Sequence, residues 1–109
     1  MHELAIAESV VSSVLERTGE RHVSVVRLRV GRLAGVVPDA LTFCFELAAA
    51  GTALEGSVLE VATEAGRAHC RSCEDDFDVD GPFLLCDCGS ADVALLSGRE
   101  LSVVSVEVA

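Results

Sequence analysis

Hydrophobic residues recur at helical spacing in two segments of the chain. Over residues 3–17 apolar positions return every three or four residues, as on one face of an α-helix, and Thr18-Gly19 supplies the end. A second segment begins at Pro38, a residue favoured in the first turn of a helix, and ends at Gly51. The pattern predicts two helices whose buried residues are Leu4, Ala7, Val10, Val11, Val14 and Leu15 in the first, and Leu41, Cys44, Phe45 and Ala48 in the second.

Three other segments alternate with a period of two, which is typical of half-buried strands. They cover residues 22–31, 57–65 and 101–108, and in the first of them Val26, Leu28 and Val30 share one face. The predicted order is helix, strand, helix, strand, a cysteine-rich segment, and strand. It indicates an α+β fold in which two helices pack on a three-stranded mixed sheet, with a zinc-ribbon insert between the last two strands.

Composition limits the classes of protein that fit this fold. The 109 residues include four Phe and no Trp or Tyr, so the core depends on aliphatic side chains and is too small for a large enclosed substrate cavity. Eighteen acidic and eight basic residues give a formal net charge of −10. Because nucleic-acid binding depends on neutralising phosphates, this charge argues against it and favours a basic or metal-bearing protein partner.

Four of the five cysteines form two close pairs, Cys70-Arg-Ser-Cys73 and Cys86-Asp-Cys88. Two such pairs joined by a short polar loop have the spacing of a structural Zn(II) site with four thiolates, which leaves no open position for catalysis. The second pair is C-x-C, so fewer backbone amides are available to its sulfurs. His69 is a candidate substitute ligand if one thiolate is strained.

Disulfides, a redox dithiol at Cys70 and Cys73, or thiols without a role are the alternatives for these cysteines. Residues 1–8 carry two acidic groups and no cationic region, unlike a secretory signal, and no apolar run approaches the roughly 20 residues of a membrane span. These observations predict a cytoplasmic protein, whose reduced thiols favour zinc over disulfides.

The first three residues, Met1-His2-Glu3, contain a candidate site for a second metal. An amine on Met1, the backbone amide and ring nitrogens of His2, and the amide of Glu3 can surround one ion in a plane. Such nitrogen sets suit Ni(II) or Cu(II) better than Zn(II). Taken alone, a histidine at position two is more often an ordinary terminal residue, and the Glu3 carboxylate a partner of the helix dipole.

Several stretches together resemble the HypA/HybF family of hydrogenase nickel incorporation proteins. They are MHELAIAESVV, VRLRVGRLAGVVPDALTFCFELA, CRSC, CDCGSADV and SGRELSVVSVEV. The resemblance implies a nickel metallochaperone in which His2 is a nickel ligand, with the Met1 amine and Glu3 beside it. It also implies zinc ligands at Cys70, Cys73, Cys86 and Cys88, in a zinc-binding domain of residues 67–96 separate from a nickel-binding domain of residues 1–66 and 97–109.

The resemblance further implies that Ni(II) is a transient cargo and that the protein has no enzymatic activity. The expected partners are a nickel-handling maturation GTPase and the large-subunit precursor of [NiFe] hydrogenase, with a homodimer as a further state of the family. The chain departs from the family at its second cysteine pair, where Leu85 stands in the place of a C-x-x-C cysteine. A zinc-ribbon adaptor or nucleic-acid-binding module with an incidental His2 is the alternative function.

Overall fold

The computed structural model describes residues 2–81 and 83–109, and within them the chain forms two three-stranded sheets and two α-helices. The sheets have the strand orders β2-β1-β6 and β4-β3-β5. The elements in chain order are α1 Glu3–Thr18, β1 Val23–Gly31, a 3-10 helix Arg32–Ala34, α2 Pro38–Ala49, β2 Val58–Glu64, β3 Gly66–Cys70, β4 Asp76–Val79, β5 Val93–Ser97 and β6 Leu101–Val108.

The chain divides into two compact units. The helical unit combines the residues up to Arg29 with Val36–Ala62 and Ser102–Ala109, and the cysteine unit combines Val30–Gly35 with Thr63–Leu101. The predicted α+β fold class is therefore confirmed, with two helices, a three-stranded sheet and a separate cysteine-bearing region. Neither helix of the described chain has the length and apolar character needed to cross a membrane.

The stripe of buried apolar residues on each helix of the helical unit is narrower than the sequence predicts. Four of the six predicted residues of α1 are buried, while Leu4 is 47% exposed and Leu15 is half-buried. In α2 the buried residues are Leu41, Phe45 and Ala49, which follow one another at intervals of four. Cys44 and Ala48 lie at the margin of that stripe and are half-buried, because a helix can turn only part of its circumference towards a core.

The central strand β1 separates an apolar face from a charged one. Val26, Leu28 and Val30 are buried, as their alternation predicts. On the opposite face Arg27 donates a hydrogen bond to Glu60 of β2 at 3.0 Å and another to Glu107 of β6. The hydrogen bond to Glu107 is the main reason that the pKa of Arg27 is raised. The three strands are thus joined across their exposed face by one ion-pair network.

The cysteine unit contains three strands that the hydrophobic pattern does not predict. β3 pairs antiparallel with β4 in the register Gly66↔Val79, and with β5 in the register Cys70↔Val93. A bulge interrupts the pairing with β5 between Arg67 and Ala68. These strands have only four or five residues, too few for an alternating pattern to stand out, so their sequences give only a weak strand signal.

Candidate metal centres

The structure brings together the four cysteines that the spacing selects. Their sulfur atoms all lie within 4.8 Å of one another. Cys70 is the last residue of β3, Cys73 lies in the turn that follows, and Cys86 and Cys88 lie in the turn before β5. Two of the separations join one pair to the other, with 3.7 Å from Cys70 Sγ to Cys88 Sγ and 3.6 Å from Cys73 Sγ to Cys86 Sγ.

These distances fit a tetrahedral zinc ion. Four sulfurs at the usual Zn–S distance of about 2.3 Å stand about 3.8 Å apart at the corners of a tetrahedron. The two measured distances, 3.7 and 3.6 Å, lie close to that value. Thiolate sulfur is also a donor that Zn(II) prefers. The shorter C-x-C spacer of the second pair is therefore compatible with a four-sulfur zinc site.

Backbone amides point at every sulfur of the cluster. Cys70 accepts two such hydrogen bonds, and each of the other three sulfurs accepts one. The donors are the amides of Ser72 and Cys73 for Cys70, of Asp75 for Cys73, of Cys88 for Cys86, and of Ser90 for Cys88. The pair with the C-x-x-C spacing thus receives three amides and the C-x-C pair receives two, as expected from the shorter spacer.

The amides shift the thiol pKa values unequally. The N–H groups of Cys73 and Ser72 lower the pKa of Cys70 to about 6. A backbone amide also lowers the pKa of Cys73, Cys86 and Cys88, but burial and hydrogen bonds among the thiols outweigh it, so their pKa values are raised. A divalent cation supplies the positive charge that ionises such thiols.

Polar contacts on both sides of the cluster join the two cysteine turns. The hydroxyls of Ser72 and Ser90 share a hydrogen bond of 2.8 Å, and Arg71 Nη1 donates to Asp92 Oδ1 at 2.9 Å. The backbone N–H of Arg71 also donates to the carbonyl of Asp92 at 3.0 Å. No sequence signal marks these four residues as partners, because the contacts join positions about twenty residues apart.

His69 stands beside Cys70 but its ring nitrogens are engaged elsewhere. Nδ1 lies 2.6 Å from Asp76 Oδ1, and Nε2 lies 3.2 Å from Glu74 Oε2. The hydrogen bond to Asp76 is the main reason that the pKa of His69 is raised. A ring held by two carboxylates favours its protonated form, in which neither nitrogen can bind a metal. The structure therefore gives no support to His69 as a substitute ligand.

Of the predicted nickel residues, His2 and Glu3 lie at the start of α1, and Met1 is outside the described residues. His2 is exposed, and its carbonyl accepts the first helical hydrogen bond, from Ile6 N–H at 3.1 Å. Its imidazole makes no hydrogen bond to any residue in the described ranges. The ring is thus free to bind a ligand from solvent.

The side chain of Glu3, unlike that of His2, is held by hydrogen bonds. Its carboxylate accepts a hydrogen bond from its own backbone N–H and another from Val37 N–H at 3.3 Å. These two donors, in that order, are the main reasons that the pKa of Glu3 is lowered. The side chain ties the first turn of α1 to the residue before α2, and this contact positions the start of the helix.

The fold and the cysteine cluster define a class of small, two-unit metal-binding proteins, and comparison with known proteins identifies the family. A family model described as HypA, a hydrogenase/urease nickel incorporation metallochaperone, matches residues 1–108. The chain belongs to the HypA family. As a member of a metallochaperone family of hydrogenase maturation, it is not an enzyme.

Proteins from several bacteria are similar to this chain over most or nearly all of their own length. The hydrogenase maturation factor HypA of Streptomyces avermitilis is 51% identical over 112 residues, covering 97% of this chain and 86% of its own. That of Geobacter metallireducens is 44% identical over 109 residues, covering 99% of each chain. That of Trichormus variabilis is 41% identical over 108 residues, covering 99% of this chain and 96% of its own.

A solved structure shows the same fold. It is the solution structure of the Ni metallochaperone HypA from Helicobacter pylori, which superposes with a TM-score of 0.68 at 18% identity. The match covers 99% of this chain and 97% of the other. The fold class predicted from the residue pattern and the family suggested by the motifs are therefore both confirmed.

Proposed function

We propose that this protein binds Ni(II) through Met1, His2 and Glu3 and delivers it for [NiFe] hydrogenase maturation in the cytoplasm. The observation that carries the proposal is the exposed imidazole of His2 at the first turn of α1, which makes no hydrogen bond within the described residues, in a chain that matches the HypA family model from residue 1. The family model that matches the chain, described as a nickel incorporation metallochaperone, supports the choice of metal. A nickel-handling GTPase and the hydrogenase large-subunit precursor are the proposed partners.

The start of a helix suits such a chelate for a physical reason. The first four N–H groups of an α-helix have no acceptor within the helix. The amides of His2 and Glu3 belong to this end of α1. Nickel can therefore replace the protons of these amides without breaking a helical hydrogen bond, although the contact from the Glu3 N–H to its own carboxylate would be lost. An amine, two amides and an imidazole then give the planar set of nitrogens that Ni(II) favours.

The cysteine cluster has a structural part in this proposal. Zn(II) bound by Cys70, Cys73, Cys86 and Cys88 would have four sulfur ligands and no open position, so it would stabilise the fold of a zinc-binding domain of residues 67–96. Residues 1–66 and 97–109 would form the nickel-binding domain. The distances between the sulfurs, which fit one tetrahedral ion, support this assignment.

Replacing His2 by alanine should weaken nickel binding by at least about 100-fold, because the imidazole is the side-chain nitrogen of the planar set. Isothermal titration of untagged, zinc-loaded protein with Ni(II) would measure the change. A variant with one residue added before Met1 should lose affinity similarly, since the amine then stands too far from His2.

His22→Ala is the matched control, because His22 is also exposed but lies outside the predicted chelate. It should bind nickel like the parent protein. Equal nickel affinity in the parent, His2→Ala and the extended variant would remove the terminal chelate from the proposal. Salt-sensitive nucleic-acid binding by all of them would favour the adaptor alternative.

A further inference from the structure

A groove lies between helix α2 and the start of strand β2 in the helical unit. Its volume is about 370 Å³, within the range of about 300–1,000 Å³ that is usual for ligand clefts. It is lined on the helix by Thr42, Phe45, Glu46 and Ala49, and on the other side by residues 56–59. All of these residues belong to the helical unit, so the groove is formed within one compact part of the chain.

The strand beside the groove, β2, is an edge strand. It stands at one end of the strand order β2-β1-β6, and no strand of the described chain pairs with its outer side. No described residue of β1 or β6 lines the groove, so the groove lies at the margin of the sheet that β2 forms. An extended peptide suits such a place, because it can add a strand to the edge through its backbone and direct alternate side chains into the groove.

The floor of the groove is apolar. Phe45 and Ala49 are almost completely buried beneath it, whereas Val58 on the strand side is 56% exposed. Apolar surface that is open to water is stabilised when another apolar group covers it. The groove therefore favours an occupant that places an aliphatic side chain against these three residues.

Among the polar side chains that line the groove, Glu46 has no partner in the described chain. The hydroxyls of Thr42 and Ser57 donate hydrogen bonds to backbone carbonyl oxygens at 3.0 and 2.7 Å. The carboxylate of Glu46 is exposed and makes no hydrogen bond or ion pair with any described residue. α2 contains no basic residue that could neutralise it. A cation supplied by the occupant would form a charge-assisted hydrogen bond with this carboxylate.

Charge decides which kind of chain suits the groove. β2 carries two further carboxylates, Glu60 and Glu64, and the whole chain has a formal net charge of −10. A second copy of this chain would bring more negative charge to the same edge, and nucleic acid would bring phosphates. A basic segment of another protein is attracted to this edge.

We propose that this groove binds an extended, basic segment of another protein, which adds a strand to the outer side of β2. One aliphatic side chain of the segment covers Phe45 and Ala49, and one lysine or arginine pairs with Glu46. The proposal does not rest on the nickel function. The experiment is therefore done on zinc-loaded protein without nickel, so that failure of the groove and failure of nickel binding are separate results.

Selection from a phage library of random octapeptides would provide the probe. Peptides enriched on the zinc-loaded parent protein should contain aliphatic residues and at least one lysine or arginine. An enriched peptide should shift the NMR amide signals of residues 56–60 more than those of β6, the opposite edge strand. A library without enrichment, or peptides that shift the signals of another part of the chain most strongly, would overturn the proposal.

N-methylation of the enriched peptide tests whether it pairs as a strand. Only alternate N–H groups of an added strand face the neighbouring strand. Methylation at those positions should weaken binding by at least about 10-fold, whereas methylation at the positions between them should have little effect. Fluorescence polarisation of labelled peptides would measure both. Equal sensitivity at every position, or at none, would contradict strand addition.

Glu46→Lys should weaken binding of the basic peptide by at least about 10-fold, because it turns an attraction into a repulsion. A peptide in which glutamate replaces each basic residue should bind this variant more tightly than it binds the parent. Circular dichroism and zinc content should match the parent, since Glu46 is exposed and holds no other residue.

Glu8→Lys is the matched control. Glu8 is also exposed on a helix but does not line the groove, so this variant should bind the basic peptide like the parent. Equal losses of affinity in Glu8→Lys and Glu46→Lys would show a general effect of net charge and would count against the groove. Unchanged affinity in Glu46→Lys would do the same.

Discussion

Cys73→Ser is expected to abolish zinc binding and unfold the cysteine unit. Structural zinc sites contribute about 10–16 kcal/mol of apparent binding free energy, which becomes folding free energy when the unbound site is unstructured. The unit has few buried apolar side chains to replace this contribution, namely Val30, Ala68, Cys70, Val79 and Cys86. A serine hydroxyl is a far poorer zinc ligand than a thiolate, so the remaining three sulfurs should not retain the ion.

Zinc content and amide hydrogen exchange would measure these two effects. The parent should carry about one zinc per chain, while Cys73→Ser should carry almost none and lose protection of the β3 amides. Cys44→Ser is the control, because Cys44 lies in α2 outside the cluster. It should keep both zinc and protection. A zinc-free Cys73→Ser protein with protected β3 amides would contradict the structural role, and its nickel affinity would show whether the terminal chelate is independent of zinc.

Gly31→Ala should destabilise the cysteine unit by about 3 kcal/mol or more, at or beyond the upper end of the usual cost of overpacking. A Cβ atom at Gly31 would lie 2.0 Å from the carbonyl oxygen of Gly98 and 3.0 Å from the amide nitrogen of Arg99. The opposing atoms belong to the backbone, so no side-chain rotation can relieve the overlap. Gly31 has φ −67 and ψ 138, which any residue can adopt, so the requirement is for space.

Two hydrogen bonds hold the backbone of residues 31–33 close to that of residues 98–100, and an added methyl group would push the two segments apart. Gly31 N–H donates to Glu100 O at 2.8 Å, and Leu33 N–H donates to Gly98 O at 2.9 Å. Urea denaturation and the rate of zinc release to a chelator would report the loss of stability. Gly81→Ala is the control, because its Cβ would meet nothing within 4 Å and its φ needs no glycine. Similar stability of the two variants would show that the backbone at Gly31 can move apart at little cost.

The two helices and the strands β1, β2 and β6 could be predicted from the sequence because each has a clear hydrophobic period. β6 was predicted at the residues it occupies, 101–108, and β1 and β2 within one residue at each end. The burial of individual side chains was harder to predict than the positions of the helices and strands. Leu4 lies on the predicted apolar stripe of α1 and Val104 in an alternating strand, yet both are about half exposed, since a first helical turn and an edge strand have neighbours on one side only.

Strands β3, β4 and β5 could not be predicted because none of them shows a clear hydrophobic period. β4 has the sequence Asp-Phe-Asp-Val, in which charged residues alternate with two apolar ones, and it is too short for the period to stand out. Its pairing with β3 joins His69 to Asp76, seven residues away, and that contact determines the environment of the imidazole. The sequence alone therefore could not predict the hydrogen bonds of His69 or the direction in which its pKa is shifted.

The sequence by itself determined the fold class, the family and the residue types of both candidate metal centres, because periodicity and cysteine spacing are properties of the chain read in order. Only the tertiary structure decided how the four sulfurs approach one another, which carboxylates hold His69, and that Gly31 must lie against Gly98. It also decided that β6 is an edge strand. Most of these features depend on contacts between residues far apart in the chain, and the His69 contacts depend on the pairing of β3 with β4. Such contacts follow from packing and strand pairing, which local sequence patterns do not specify.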